Sequence, residues 1–188
     1  MLQNIFQLSI WNINLSLDLD QIKKEINQII KKDEGRVISN QGGYQSNDVK
    51  IKEFVQLNFL KEIIVRNTIE YKKLLGLKTN SSLDNLWINI NNYKDFNTSH
   101  IHPNSCISGV FYVQYLKESG QIVFENPLKD HIGYAWDSKL NVYNHNTSSV
   151  WKIIPEENKL LLFPSFLSHY VEPNLNKDKR ISISFNVS

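Results

Sequence analysis

Scarcity narrows the field before any motif does. The chain has a single cysteine, Cys106, so no internal disulfide can form and a reducing compartment is expected. No apolar run approaches the ~20 residues that a membrane-spanning helix needs. The opening Met1-Leu2-Gln3-Asn4-Ile5-Phe6 lacks the cationic start, long apolar stretch and small-residue cleavage site of a secretory signal. An excess of one charge is also missing. A formal net charge of +2 argues against a dedicated nucleic-acid groove and leaves room only for a local basic patch. Repeats and low-complexity linkers are absent. Arginine is scarce, present only as Arg36, Arg66 and Arg180 among 21 basic residues. The accompanying richness in Asn, Ile and Lys fits an AT-rich genome. Against that background each arginine is a candidate for work that lysine cannot do.

What is there fits one ordinary globular domain of 188 residues with 41% hydrophobic and 21% charged side chains. The stretch to Gly76 reads as mostly helical after a short strand at 6–13. Asp20 is placed to cap a helix whose Ile22, Ile26, Ile29 and Ile30 share one face. A polar loop follows at 39–46. A second amphipathic helix is expected from Glu53 to Leu75, carrying Leu57, Leu60, Ile64, Tyr71 and Leu75, with Gly76 as its C-cap. From Leu86 the chain becomes a succession of short strands, at 86–91, 100–102, 107–115, 121–125, 150–154, 159–163, 169–171 and 180–187. Proline, glycine, asparagine and aspartate punctuate them. The expected fold is therefore mainly β with flanking helices. It is a double-sheet jelly roll over 86–188 with a helical N-terminal support region, 1–85, packed on one sheet. The segment Leu128–Ser149 reads as a long loop with Tyr134, Trp136 and Tyr143 among polar residues. Its length makes it a candidate lid, or equally a surface excursion.

Two patterns carry chemistry. His100-Ile101-His102 would point both imidazoles to one side of a strand. His169 follows the apolar run Leu160–Phe163, where a rolled sheet could bring it opposite the pair. Three neutral imidazoles on one side of a metal leave the other positions open, as non-haem iron oxygenases require. Taken alone, a His-x-His pair is more often structural or exposed; His131 and His145 read as solvated. The second pattern is Arg180–Val187, which alternates strictly: Arg180, Ser182, Ser184 and Asn186 on one face, Ile181, Ile183, Phe185 and Val187 on the other. If the polar face points inward, Arg180 is buried and needs an anion, and its fork with a hydroxyl two residues on suits a carboxylate. The rival reading puts that face in water.

The order His100-x-His102, His169, Arg180, Ser182 resembles the 2-oxoglutarate/iron(II) dioxygenase superfamily, whose first motif is His-x-Asp. Ser108-Gly109-Val110-Phe111-Tyr112-Val113-Gln114 resembles the strand that supplies a cosubstrate-binding tyrosine in prolyl-hydroxylase-like members. Closer is a family of 2-oxoglutarate/iron(II) oxygenases from bacteria and their phages. Its pattern recurs in Ser39-Asn40-Gln41-Gly42-Gly43-Tyr44-Gln45-Ser46, Trp87-Ile88-Asn89-Ile90 and His100-Ile101-His102-Pro103-Asn104-Ser105. It continues in Ser108-Gly109-Val110, Phe163-Pro164-Ser165 and Arg180-Ile181-Ser182-Ile183-Ser184-Phe185-Asn186.

The resemblance implies iron(II) on His100, His102 and His169, with 2-oxoglutarate held by Arg180, Ser182, Tyr112 and Ser108 and touched by Asn89. Decarboxylation of 2-oxoglutarate to succinate would be coupled to hydroxylation of a C–H bond in a peptide, amino acid or small metabolite. The protein would act in the cytoplasm of a bacterial or phage-infected cell. One departure stands out: His102 replaces the superfamily's carboxylate ligand, and Glu125 is the available carboxylate if His102 is not a ligand. Two rivals are a non-catalytic metal-binding jelly roll and a three-His iron oxygenase that does not use 2-oxoglutarate. Arg180 and Ser182 favour the cosubstrate. Substrate selection would fall to the loops at 39–46 and 128–149.

Overall fold

The structure is a computed structural model that describes residues 1, 3 and 5–188. In chain order its elements are β1 (Trp11–Asn14), α1 (Leu19–Ile30), β2 (Asn40–Gln41), β3 (Tyr44–Gln45), α2 (Val55–Leu74), β4 (Leu83–Asn91) and β5 (Phe96–His100). They continue with β6 (Ile107–Gln114), β7 (Ile122–Glu125), α3 (Lys129–Trp136), β8 (Val150–Ile153), β9 (Lys159–Pro164), β10 (His169–Val171) and β11 (Arg180–Val187). The strands form two antiparallel sheets, a six-stranded one in the order β1-β9-β6-β11-β4-β3 and a five-stranded one in the order β2-β5-β10-β7-β8. This is the expected jelly roll, the double-stranded β-helix. Among the described residues no helix is long and apolar enough to cross a membrane.

Alternation in β4 and β11 decides which way the large sheet faces. Ile181, Ile183, Phe185 and Val187 point outward with Leu86, Ile88 and Ile90. They bury against Ile22, Ile26 and Ile29 of α1 and Leu57, Leu60, Ile64 and Tyr71 of α2. Fully burying each such side chain contributes about 1.5–3 kcal/mol, so helix packing is what holds the sheet in this orientation. The other face looks into the space between the sheets. It carries Arg180, Ser182, Ser184 and Asn186 beside Asn85, Trp87, Asn89 and Asn91, all lining one cavity. A smaller apolar cluster, including Tyr112, Phe124, Phe163 and Leu167, closes the interior at the other side. The reading of β11 as a surface strand is excluded, since Arg180 is only 1% exposed.

Several expectations need correction. The cap of α1 is Asp18, whose Oδ1 accepts from the N–H groups of Asp20 and Gln21 at 3.1 Å each, and not Asp20. The first strand begins at Trp11, five residues later than expected, where pairing with Leu162–Lys159 starts. The N-terminal region is more than helical support, because β1, β2 and β3 all join the sheets. Residues 128–149 are not a structureless loop: they contain α3 and a 3-10 turn at Asp137–Lys139. Gly76 does end α2 as expected, at φ +72°, with its N–H and that of Leu77 closing on the carbonyls of Lys73 and Lys72.

Close approach of β6, β9 and β11 depends on Gly109. A Cβ there would lie 2.4 Å from Cζ of Phe185 and 2.6 Å from the backbone oxygen of Leu161. Gly109→Ala is expected to cost about 1–3 kcal/mol through overpacking. Equilibrium urea unfolding measures it, and an unchanged midpoint would show that the strands can part without penalty.

Candidate active site

The three histidines meet between the sheets. His169 opens β10 and pairs with His100, the last residue of β5. His102 lies beyond the end of that strand, held by its N–H donating to the carbonyl of Ser165 at 2.9 Å. The strand expected through 100–102 ends at His100, yet the expected alternation persists: Ile101 is exposed while His100 and His102 both turn toward His169. One potential ligand atom from each ring lies within 4.8 Å of the other two.

Hydrogen bonds set the tautomers. His100 Nδ1 is 2.7 Å from the carbonyl oxygen of Thr98, and His169 Nδ1 is 2.9 Å from that of Leu167. A carbonyl only accepts, so both Nδ1 atoms carry the proton and both Nε2 lone pairs are free for a metal. The Nε2 atoms of His102 and His169 are 3.3 Å apart, a separation that calls for a shared proton or a cation between them. Trp87 packs against the His102 ring at 5.6 Å and Phe163 edge-on against His169 at 4.7 Å. These apolar walls favour neutral imidazole. Burial and then the charge of His100 lower His102 to about 4. Burial first, with the neighbouring His100 and His102, lowers His169 to about 3.

Glu125 does not join this group. Its Oε2 accepts from the hydroxyls of Ser99 and Ser168, and its Oε1 pairs with Lys129 Nζ at 2.6 Å. The Lys129 bond and the two serine hydroxyls hold its carboxyl at about 2. Ser99 and Ser168 adjoin His100 and His169 in sequence, so Glu125 ties β5 to β10 from the far side of the small sheet.

The cavity beside the imidazoles measures about 270 Å³, near the small end of the roughly 300–1,000 Å³ typical of small-molecule sites. Its inner wall is a ladder of rows across the large sheet. Arg180 pairs with Asn91, Ser182 with both Asn89 and Tyr112, and Ser184 with both Trp87 and Val110. Arg180 Nη1 donates to the carbonyls of Ser119 and Glu172, while Nη2 is buried with no partner among the described residues. Gly120 makes room for it, at φ +81°, since a Cβ there would stand 2.7 Å from Arg180 Nη1. Burial pushes the Tyr112 phenol well above its ordinary range, so the hydroxyl stays protonated and can donate.

Among the expected cosubstrate residues, Arg180, Ser182, Tyr112 and Asn89 line the cavity. Asn89 already donates from Nδ2 to Ser184 Oγ at 3.0 Å. Ser108 does not line it: its hydroxyl is 2.7 Å from Ser165 Oγ and 2.7 Å from Oδ1 of Asn186, the residue it pairs with. The segment 128–149 contributes no residue to the cavity. It borders a separate apolar groove through Leu128, Ile132 and Trp136, and His131 and His145 are exposed. Ser39 and Gln45 line the cavity from the 39–46 segment expected to select substrate, whereas Arg36 and Trp87 were not expected in the site. For Trp87 the signal was available, because it shares the inward face of Asn89.

With this geometry in view, comparison with known proteins is informative. A family model described as "Putative 2OG-Fe(II) oxygenase" matches residues 85–186, more than half of the chain. The chain belongs to this 2OG-Fe(II) oxygenase family. It is accordingly a dioxygenase whose metal is iron(II) and whose cosubstrates are 2-oxoglutarate and oxygen. Solved structures agree on the fold. A prolyl-4-hydroxylase from Pseudomonas putida superposes with a TM-score of 0.64 at 13% identity, covering 95% of this chain and 92% of its own. The viral collagen prolyl hydroxylase of Paramecium Bursaria Chlorella virus-1 gives 0.62 at 12% identity, covering 95% and 94%. The α-ketoglutarate-dependent carbocyclase SnoK of nogalamycin biosynthesis gives 0.69 at 9% identity, covering 96% and 79%. At such identities the likeness speaks for the jelly roll alone. No curated protein sequence matches this oxygenase significantly.

The depressed imidazoles make the metal-free oxygenase sensitive to acid. In the unfolded chain a histidine titrates near 6.5, whereas folded His169 resists protonation down to about 3. Below 6.5 the unfolded state therefore binds more protons, and stability present above that pH is lost as the pH falls. By pH 5 His169 alone should account for about 2 kcal/mol. Urea unfolding at pH 7 and pH 5 checks this, and equal stability at the two values would contradict the buried neutral imidazoles.

Proposed function

We propose that this oxygenase is a hydroxylase that holds iron(II) on His100, His102 and His169 and anchors 2-oxoglutarate on Arg180, with Ser182 and Tyr112 assisting. The observation that carries the reading is the unanswered Nη2 of Arg180. A guanidinium withdrawn from water with a free donor calls for an anion, and the cavity it lines also holds the three imidazoles. The donor set fits the metal: imidazole nitrogen suits iron, and three ligands leave positions open.

When bound there, iron(II) supplies the redox chemistry that couples decarboxylation of 2-oxoglutarate to hydroxylation of a substrate C–H bond. The chain's own residues do the rest. Thr98 and Leu167 carbonyls fix the tautomers of His100 and His169. Arg180 offers its planar fork to a carboxylate, and Ser182, in the next row, adds a hydroxyl. Tyr112, kept protonated, donates from the same row. Trp87, Phe163 and Phe124 exclude water around the imidazoles. The three-imidazole set is one charge more positive than a site with two histidines and a carboxylate, which strengthens its hold on an anionic cosubstrate. The 188 residues are proposed to act as one jelly-roll unit in the bacterial or phage-infected cytoplasm.

Two variants test the assignments separately. His169→Ala should abolish stoichiometric metal, and full occupancy in metal analysis would show that the ligands lie elsewhere. Arg180→Leu should retain metal but weaken 2-oxoglutarate by roughly two to four powers of ten, because losing one partner of a buried charge pair costs about 3–5 kcal/mol. Arg180→Lys should fall between, with the charge kept and the fork lost. Anaerobic calorimetry on the iron-loaded protein reads both. Unchanged affinity in Arg180→Lys and Arg180→Leu alike would remove Arg180 as the anchor.

A further inference from the structure

A second set of unanswered polar atoms lines the opposite flank of the cavity. β3 is the edge strand of the large sheet, and Gln45 on it pairs with Asn89. Gln45 thereby continues the row Tyr112–Ser182–Asn89 to the sheet's edge. It is only 3% exposed, and its Oε1 has no hydrogen-bond partner among the described residues. Arg36 lies alongside, its backbone N–H donating to the Gln45 carbonyl at 2.7 Å. Arg36 also lines the cavity. Its Nη2 donates to Asp48 Oδ1 at 2.7 Å, so its charge is matched, yet its Nε–H is buried without an acceptor. One group lacks a donor and its neighbour lacks an acceptor.

This flank is held in place. The turn between β2 and β3 has Gly42 at φ +69° and Gly43 at φ +65°. A Cβ on Gly42 would fall 2.1 Å from Asp95 Oδ1, and one on Gly43 would fall 2.6 Å from the Ile90 carbonyl. Asp95 is itself fixed by accepting the Asn92 N–H at 2.7 Å. Gln45 is thus presented on a seated turn, and binding to it need not order a loop. Two strand spacings, roughly 10 Å, separate it from Ser182, so the pair stands apart from the anchor at Arg180.

Resting on the oxygenase reading above, we infer that Arg36 and Gln45 form a subsite for the primary substrate and that they take a neutral amide. The amide carbonyl accepts from Arg36 Nε–H, and the amide N–H donates to Gln45 Oε1. Charge decides the class. A carboxylate or phosphate has no proton for Gln45 Oε1 and meets a guanidinium already matched by Asp48. An ammonium has no acceptor for Arg36. A peptide bond or a carboxamide offers both partners at adjacent atoms.

The test uses the full chain, labelled with nitrogen-15 and loaded with zinc(II) as a diamagnetic stand-in for iron(II). Three arginines give a sparse set of Nε–H signals, so Arg36 and Arg180 can be followed in one spectrum. The probes are N-acetylglycine N-methylamide, propanamide, propanoate and 2-oxoglutarate. An amide should shift Arg36 Nε–H and the Gln45 side-chain signals saturably. Gln45→Leu and Gln45→Met should each weaken that response at least tenfold, the second variant, close to glutamine in shape but without its acceptor, guarding against a folding defect in the first. Tighter binding of the methylamide assigns a peptide backbone, tighter binding of propanamide a carboxamide, and either supports the subsite. Saturation by propanoate in preference to both amides, a shift of Arg36 by 2-oxoglutarate, or no saturation by either amide would overturn it. The Arg180 signal under 2-oxoglutarate reports separately on the cosubstrate anchor. If Arg180 stays still while an amide moves Arg36, the anchor fails and the subsite stands.

Discussion

A guanidinium buried between two sheets, with one nitrogen unanswered, is the constraint on which the interior depends. Burying a charge without a partner is costly enough that folds avoid it unless a ligand or counter-ion completes it. Here the surroundings are shaped to keep Arg180 where it is: two carbonyls take Nη1, and Gly120 leaves out the side chain that would displace it. The strand that carries Arg180 can place it inward only because the alternate residues Ile181, Ile183, Phe185 and Val187 face the helices. Helix packing outside and a polar wall inside are two faces of one alternation. A slip of one residue in β11 would exchange them completely.

The metal site follows a different economy. Its three imidazoles are kept neutral by burial, and backbone carbonyls at Nδ1 of His100 and His169 fix those two tautomers, which leaves their Nε2 lone pairs free for a metal. With His102 in the place proposed for a ligand, where the wider superfamily has a carboxylate, the site carries one negative charge fewer. Glu125 does not restore it at the metal, because its oxygens are taken by Ser99, Ser168 and Lys129. It does place a fixed negative charge behind the strands that bear His100 and His169. The local charge is therefore dominated by Arg180 and by whatever cation the imidazoles hold, which suits a doubly anionic cosubstrate.

Much of this was legible in the residues themselves, though not always for the right reason. The alternation of β11 was readable from Arg180–Val187, but only its packing partners could say which face is inside. His100 and His102 were brought to one side by the alternation read from their spacing, although the strand itself ends at His100 and His102 is held by the Ser165 carbonyl. Ser108 was placed on the correct face, but its hydroxyl is engaged by Ser165 and Asn186 and does not line the cavity, a partnership that face periodicity cannot detect. The helix within 128–149 was hidden because its residues are exposed and carry no buried stripe. Gln45 fell within the 39–46 loop expected to select substrate, but its place beside Arg36 was not readable, because it depends on an edge strand of two residues, β3, and on close glycine contacts that no local pattern announces.

The central claim is that the three imidazoles and Arg180 together make one catalytic cavity for iron(II) and 2-oxoglutarate. It is tested most directly by incubating the purified chain with iron(II), 2-oxoglutarate and oxygen and quantifying succinate. The account predicts succinate above background, dependent on iron and oxygen and abolished by anaerobic conditions or chelation. No succinate from protein shown to hold iron and 2-oxoglutarate at full occupancy would contradict it.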